Sequence, residues 1–151
     1  MVRMPHQEHS LLALSQREAL YLLSTTPVGR VVFTEQALPA VVPVTFAVHG
    51  AGLVMRTSGD TRLAKATARG GVLAFEIDEI DPETQTGWSV VVLGEPHLIT
   101  DVEERARIDL VLAPWAPGCH DVCIRLPLTM VTGRRIVRSE SALTSPVDLR
   151  S

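Results

Sequence analysis

The sequence predicts a mainly β protein, a small six-stranded antiparallel barrel with about three short helices set before or between the strands. Three observations lead there. Of 151 residues, 46% are hydrophobic but only 4% are aromatic, so the core must be built from Val, Leu, Ala and Ile, and valine-rich sequence favours strands. β-Branched runs recur between short turns rich in Gly, Pro and Asp. Helical patterns are few and short, and many antiparallel strands with few helices close most readily into a barrel. The length fits one domain that buries a core without metals or staples.

The first ten residues are polar, contain a proline and show no periodicity, so they read as a flexible arm, with order beginning near Leu11. Ser15-Gln16-Arg17-Glu18 has the form of a capping box and predicts a helix over 15–24, with Leu14 placed as its hydrophobic staple. After Pro27 the pattern becomes β. Gly29-Arg30-Val31-Val32-Phe33-Thr34 and the longer run from Pro39 to Val48 form a hairpin. Pro39 and Pro43 argue against an uninterrupted central ladder in the second run, because each removes a donor; an edge or a bulge is where they fit. His49-Gly50-Ala51-Gly52 is a tight turn into a third strand, Leu53-Val54-Met55-Arg56-Thr57. A helix over 61–69 follows and stops at Gly70-Gly71, a natural C-cap. The fourth strand spans 72–78, the segment 80–87 is an exposed loop, and a long fifth strand over 88–99 bends near Gly94-Glu95-Pro96. Asp101-Val102-Glu103-Glu104 opens a helix with acids at the positive end of its dipole, finishing near Leu112. The segment 113–118 is rigid and irregular, and a sixth strand covers 122–137 with a kink at Pro127. The expected organisation is an arm over 1–12, one domain over 13–138 and a tail over 139–151.

Charge excludes some functions. The formal net charge is −3 with acids and bases mixed along the chain, which offers no basic field to nucleic acid or to an anionic membrane. No apolar run approaches the roughly 20 residues needed to cross a bilayer, and the start lacks a secretory pattern, so a cytoplasmic protein is expected. Cys119 and Cys123 form a single C-x3-C pair with His120 between them. Zinc sites ordinarily need a fuller set, so no metal is expected and reduced thiols are the plainer reading.

The most informative stretch runs from Arg56 to Lys65. It puts the hydroxyls of Thr57 and Thr61 and the cations Arg56, Arg62 and Lys65 around Gly59, between a strand end and a helix start. Free amides of a first helical turn, its dipole and an arginine fork together suit a phosphate. From the residues alone the plainer reading still leads: Thr61 caps the helix while Arg62 and Lys65 are solvated. Other arrangements are poorer. Ser89 sits in no nucleophile-elbow sequence, no histidine has an evident orienting partner, and no G-x-G-x-x-G or Walker sequence exists. Glu76 and Asp78 share one strand face, which is more often a wet face than an acid/base pair. His49 and His97 lie beside turns, where exposure is expected.

The runs Pro27-Val28-Gly29-Arg30-Val31, Leu38-Pro39-Ala40-Val41-Val42-Pro43-Val44, Arg56-Thr57 with Thr61-Arg62-Leu63-Ala64, Val72-Leu73-Ala74-Phe75-Glu76-Ile77-Asp78, Gly87-Trp88-Ser89-Val90-Val91-Val92 and Val131-Thr132-Gly133-Arg134-Arg135-Ile136 occur in this order. Together they resemble the pyridoxamine 5′-phosphate oxidase-like flavin-binding split barrels over roughly residues 15–136. The resemblance implies a six-stranded antiparallel split β-barrel and a homodimer with two equivalent flavin sites at the subunit interface. Backbone at Pro43, Val44 and Thr45 would lie against the flavin ring, Arg56 and Thr57 would touch ribityl and phosphate groups, and Thr61 and Arg62 would hold the phosphate, with Lys65 one turn further on. Trp88 and Ser89 would face the flavin from the partner subunit.

The resemblance thus implies an FMN-dependent oxidoreductase acting on a small molecule that the sequence does not identify, with no side chain marked as catalytic. The end of the chain lacks the arginine-histidine cluster by which true pyridoxamine phosphate oxidases grip their vitamin, so that activity is not expected. Leu63 stands where those oxidases often carry a further lysine. Members of the superfamily bind FMN, a deazaflavin coenzyme or haem. The alternatives are therefore a deazaflavin-dependent reductase, with Arg30 and Arg69 as candidate cations, or a non-catalytic flavin- or haem-binding protein.

Overall fold

A computed structural model of the chain describes residues 8–113 and 115–139. In chain order the elements are β1 His9–Ala13, α1 Gln16–Thr25, β2 Val28–Glu35, β3 Leu38–His49, β4 Gly52–Thr57, α2 Arg62–Arg69, β5 Leu73–Asp81, β6 Thr86–Gly94, β7 His97–Leu98, α3 Val102–Val111, β8 Val122–Pro127 and β9 Met130–Arg138. The strands form one antiparallel sheet in the order β1-β9-β6-β5-β2-β3-β4-β8-β7. β8 and β9 lie in different parts of this order yet follow each other in the chain, so their short connection draws the sheet round on itself. The mainly β class and antiparallel pairing are as the sequence predicts. The count differs: nine strands among the described residues, where six were expected.

Each extra strand has a local cause. β1 pairs with the outer edge of β9, from His9↔Arg138 to Ala13↔Arg134, so part of the expected arm is ordered by backbone ladder bonds. Its largely exposed side chains give it no alternation to read. The expected fifth strand is two, β6 and β7, because Glu95-Pro96 interrupts the ladder and only His97 and Leu98 resume it, against β8. The expected sixth strand is likewise a hairpin: β8 ends at Pro127 and β9 starts at Met130, so Pro127 ends a strand instead of bending one. The expected tail lies outside the described residues from position 140 onward.

Inside the barrel, Leu53, Met55, Phe75, Ile77, Ile124 and Leu126 are almost fully buried. β4 is buried on both faces, because Val54 points outward into a second cluster with Ile99, Ile108, Leu112 and Cys123 beneath α3. A parallel-like apolar run in an antiparallel strand follows from being covered on both sides. Phe75 meets Phe46 edge to face at 4.6 Å between centroids, and its ring lies over Gly29, where a Cβ would come within 2.2 Å of the Phe75 Cζ. Only a glycine admits the ring there.

On the outer face of the sheet, Arg30 of β2 stands opposite Glu76 of β5 and donates from Nη1 to Asp78 at 3.0 Å and to Glu76 at 3.5 Å. Burial pushes the Glu76 carboxyl up to about 7; the hydrogen bond with Asp78 and its charge add to the rise, while Arg30 opposes it.

Two outcomes follow from this packing. Gly29→Ala should destabilise the fold by about 1–3 kcal/mol, the usual cost of overpacking, read as a lower urea midpoint at unchanged slope. An unaltered midpoint would mean that Phe75 swings aside freely. For Glu76, the folded state keeps its proton up to about pH 7 whereas the unfolded chain releases it near 4.5. Its contribution is therefore fully present below about pH 4.5 and is lost as pH rises through 7. Glu76→Gln should flatten the fall in melting temperature over that window, and an identical pH profile would refute this assignment.

Candidate functional site

The site begins where β3 and β4 part. β3 pairs with β2 from Leu38 to Thr45 but with β4 only from Phe46 to His49. Beyond Met55, β4 continues alone beside β8, with Arg56↔Cys123 and Thr57↔Val122. Residues 38–45 of β3 are thus paired on one side only. The Phe46 amide donates to the Pro27 carbonyl at 3.2 Å. By the two-residue period of a strand, even-numbered amides of β3 therefore face β2 and odd-numbered ones face the open side. Pro39 and Pro43 are odd-numbered. Both fit a strand that is continuous after all, because the donors they lack would point where no ladder exists.

Into this gap opens a cavity of about 700 Å³, walled by Val28, Val42, Pro43, Val44 and Thr45, by Arg56, Thr57, Ser58, Thr61, Arg62 and Leu63, and by the loop 115–120. Its size lies within the range of small-molecule and cofactor sites. One wall is apolar strand with an unpaired backbone edge. The second is the turn into α2.

That turn is built by its hydroxyls. Thr61 is the N-cap of α2 and accepts from the Ala64 amide at 3.1 Å. Its hydroxyl donates to the Ser58 carbonyl at 2.9 Å and lies 2.9 Å from that of Thr57. The cap reading of Thr61 is correct, and it does not compete with a ligand role: the cap takes the Ala64 amide, leaving those of Arg62 and Leu63 at the helix's positive end. Arg62 is 66% exposed and only loosely paired, its Nε 3.8 Å from Glu35. Such a contact is worth little and is easily exchanged.

The other candidate residues are placed variously. Arg56 lines the cavity but is only 20% exposed, and both terminal nitrogens are committed, Nη1 to Asp109 and Nη2 to the His120 carbonyl, each at 2.6 Å. It ties the cavity floor to α3 and the following loop. Lys65 is exposed on α2 away from the cavity wall. Trp88 and Ser89, on β6, belong to a separate hollow with Leu11, Ile80, Gly87, Arg134 and Ile136. Arg30 is held by Glu76 and Asp78, and Arg69 by Glu35 at 3.6 Å, and neither lines the cavity. The Glu76–Asp78 pair lies outside it as well.

Sequence reasoning passed over the third wall, residues 115–120 between α3 and β8. Nothing in its pattern marks it, since Trp115, Pro117 and Gly118 have no periodicity. Cys119 is exposed in this wall while Cys123 is buried, and burial pushes the Cys123 thiol up, so it stays protonated. Both are free thiols. Among the described residues no group of three metal-ligating side chains comes together, and no helix is long and apolar enough to cross a membrane.

Residues 15–135 match the family model described as pyridoxamine 5′-phosphate oxidase. The uncharacterized protein Rv0080 of Mycobacterium tuberculosis is 37% identical over 137 residues, which is 88% of this chain and 90% of that protein. Among solved structures, the FAD binding protein from Mycobacterium smegmatis is similar with a TM-score of 0.67 and 28% identity, over 82% of this chain and 96% of the other. A FAD-binding protein from Mesorhizobium loti shares the fold with a TM-score of 0.71 at 24% identity, over 83% and 97%. The sequence runs, the antiparallel barrel with its parted strands, and these matches converge: the chain belongs to the pyridoxamine 5′-phosphate oxidase family of split barrels.

Proposed function

We propose that this chain binds the FMN portion of a flavin in the cavity between β3 and β4, and that it is a cytoplasmic flavin-dependent oxidoreductase that works as a homodimer. One observation carries the reading: an unpaired strand edge and a hydroxyl-and-cation helix start face the same cavity. The open edge of β3 offers the Thr45 amide and the Pro43 and Thr45 carbonyls. A flavin's pyrimidine edge carries acceptors and a donor that complement them. Val28, Val42 and Val44 supply the apolar wall that a flat ring system needs. At the other end the Arg62 and Leu63 amides and the Arg62 guanidinium suit a phosphate, while the Thr57 hydroxyl, donating to that of Thr61, holds the turn in shape. The Mycobacterium smegmatis relative, named for FAD binding, supports a flavin as the ligand class.

A bound flavin would supply hydride transfer, and the protein's part is anchorage, orientation and exclusion of water. Among the described residues no carboxylate lines the cavity, and the one histidine that does is His120, with Nε2 bonded to the Ala116 carbonyl at 2.8 Å. A reaction that needs no protein acid or base suits such walls. The flavin is preferred to a deazaflavin coenzyme, whose longer anionic tail needs further cations, because neither Arg30 nor Arg69 lines the cavity.

The second copy is assigned to the outer face of β1, β9, β6 and β5. There Leu11, Ile80 and Ile136 are exposed around the hollow that holds Trp88 and Ser89. Apolar surface of this kind marks an association site, and a partner docked there would carry its own Trp88 and Ser89 toward a neighbouring cavity.

Arg62→Ala should weaken FMN binding about tenfold or more, because a charge-assisted phosphate contact is lost; fluorescence titration reads it, and unchanged affinity would move the phosphate elsewhere. Sedimentation equilibrium should give twice the chain mass for the flavin-loaded protein, and Ile136→Asp should shift it toward the monomer. A flavin-loaded wild-type monomer would contradict the shared-site arrangement.

A further inference from the structure

The ring wall and the phosphate turn account for two sides of the cavity, and the loop 115–120 remains. At its start stands Trp115, whose side chain lines the cavity and is nevertheless 70% exposed. A large aromatic ring left this open at a cavity wall has a free surface to offer. The loop that carries it is braced. His120 Nε2 donates to the Ala116 carbonyl at 2.8 Å, the Arg56 guanidinium holds the His120 carbonyl at 2.6 Å, and Gly118 turns the chain at φ 110°. At the far end of the loop, Asp121 Oδ1 accepts from the Gly59 amide at 3.1 Å, which fastens the loop directly to the phosphate turn. The adjoining stretch is tied to α3 as well, through Arg105 to the Asp121 carbonyl. Trp115 therefore stands at the start of a loop whose far end is pinned to the phosphate turn.

A mononucleotide ends at its phosphate and would leave that wall bare. A dinucleotide continues from the same phosphate through a second one to a purine. Stacking on an exposed aromatic ring is how proteins hold a base without reading its edges. The guanidinium of Arg62, exposed and loosely paired, has a fork of donors that can reach both phosphates of a pyrophosphate. We propose that Trp115 is a stacking platform for the adenine of a flavin dinucleotide, so that the cavity selects FAD over FMN. This rests on the flavin reading above and adds the part of the ligand that reading leaves open.

The test titrates FMN and FAD separately into wild type, Trp115→Ala and Trp115→Phe, following flavin fluorescence, with AMP as a competitor. Wild type should hold FAD about tenfold or more tightly than FMN, the scale of one base stacked on one ring. Trp115→Ala should remove that preference while leaving FMN affinity unchanged, Trp115→Phe should keep most of it, and AMP, the part of FAD beyond the FMN phosphate, should displace FAD from wild type but not FMN. Equal affinities in wild type, or a loss in Trp115→Ala shared by both flavins, would overturn the adenine platform while the flavin reading stands. Failure of wild type to bind either flavin would reject both.

Discussion

The separation of β3 from β4 is the constraint on which the rest of this structure depends. Were the two strands paired along their full length, the backbone groups of residues 42–45 would be spent on a ladder and there would be no cavity. They are paired only up to Phe46 and Met55. Pro43 helps to keep them apart, since a strand laid against that edge would find a carbonyl but no amide at this position. The prolines that look like a defect in a strand are better understood as protection of an open edge. An unpaired edge ordinarily invites association with another chain, and here it is turned inward to a cavity closed by α2 and by the loop after α3.

Holding such a gap open requires rigidity on both sides. On the β2 side it comes from Phe75, stacked edge to face on Phe46 and seated over Gly29. These three residues lie on three strands and fix β5, β2 and β3 relative to one another. On the β4 side it comes from burial of both strand faces, with Leu53 and Met55 in the barrel and Val54 under α3. α3 is in turn fastened by polar ties: Asp109 to Arg56, Glu104 to Arg125 and Arg105 to the Asp121 carbonyl. Arg56 belongs to this second frame. Its guanidinium joins helix, strand and loop where the cavity needs a firm floor, and burial to 20% exposure strengthens those bonds relative to solvated ones.

Much of this was legible in the sequence, and the limits have physical causes. The helix starts were clear because capping is local: Ser15, Thr61 and Asp101 each accept from the amide three residues on. The hydroxyl-capped turn into α2 was legible for the same reason. Strand boundaries were less so, because a proline reads alike whether it bends a strand, ends it or lies on a free edge; Pro43, Pro96 and Pro127 illustrate the last two outcomes. β1 was invisible because its order comes from pairing with β9, some 120 residues away. The loop 115–120 escaped notice because its importance comes from what it is pinned to, and Arg56, His120 and Gly59 meet only in the folded chain.

The electrostatics of the cavity also bear on what chemistry it can support. The acids near the site are all engaged in structure: Asp121 holds the Gly59 amide, Asp60 accepts from the Ser58 hydroxyl, Asp109 pairs with Arg56, and Glu35 stands between Arg62 and Arg69. None of them lines the cavity. A site that brings together amides, hydroxyls and an exposed guanidinium while directing its carboxylates into the scaffold is suited to hold an anionic ligand by one end. Its carboxylates are spent on structure, and the titratable side chains left on its walls are those of Cys119 and His120. A division between frame and wall lets one barrel serve different chemistries: the paired strands and polar ties keep the gap open, and the residues that line it determine which molecule can be held.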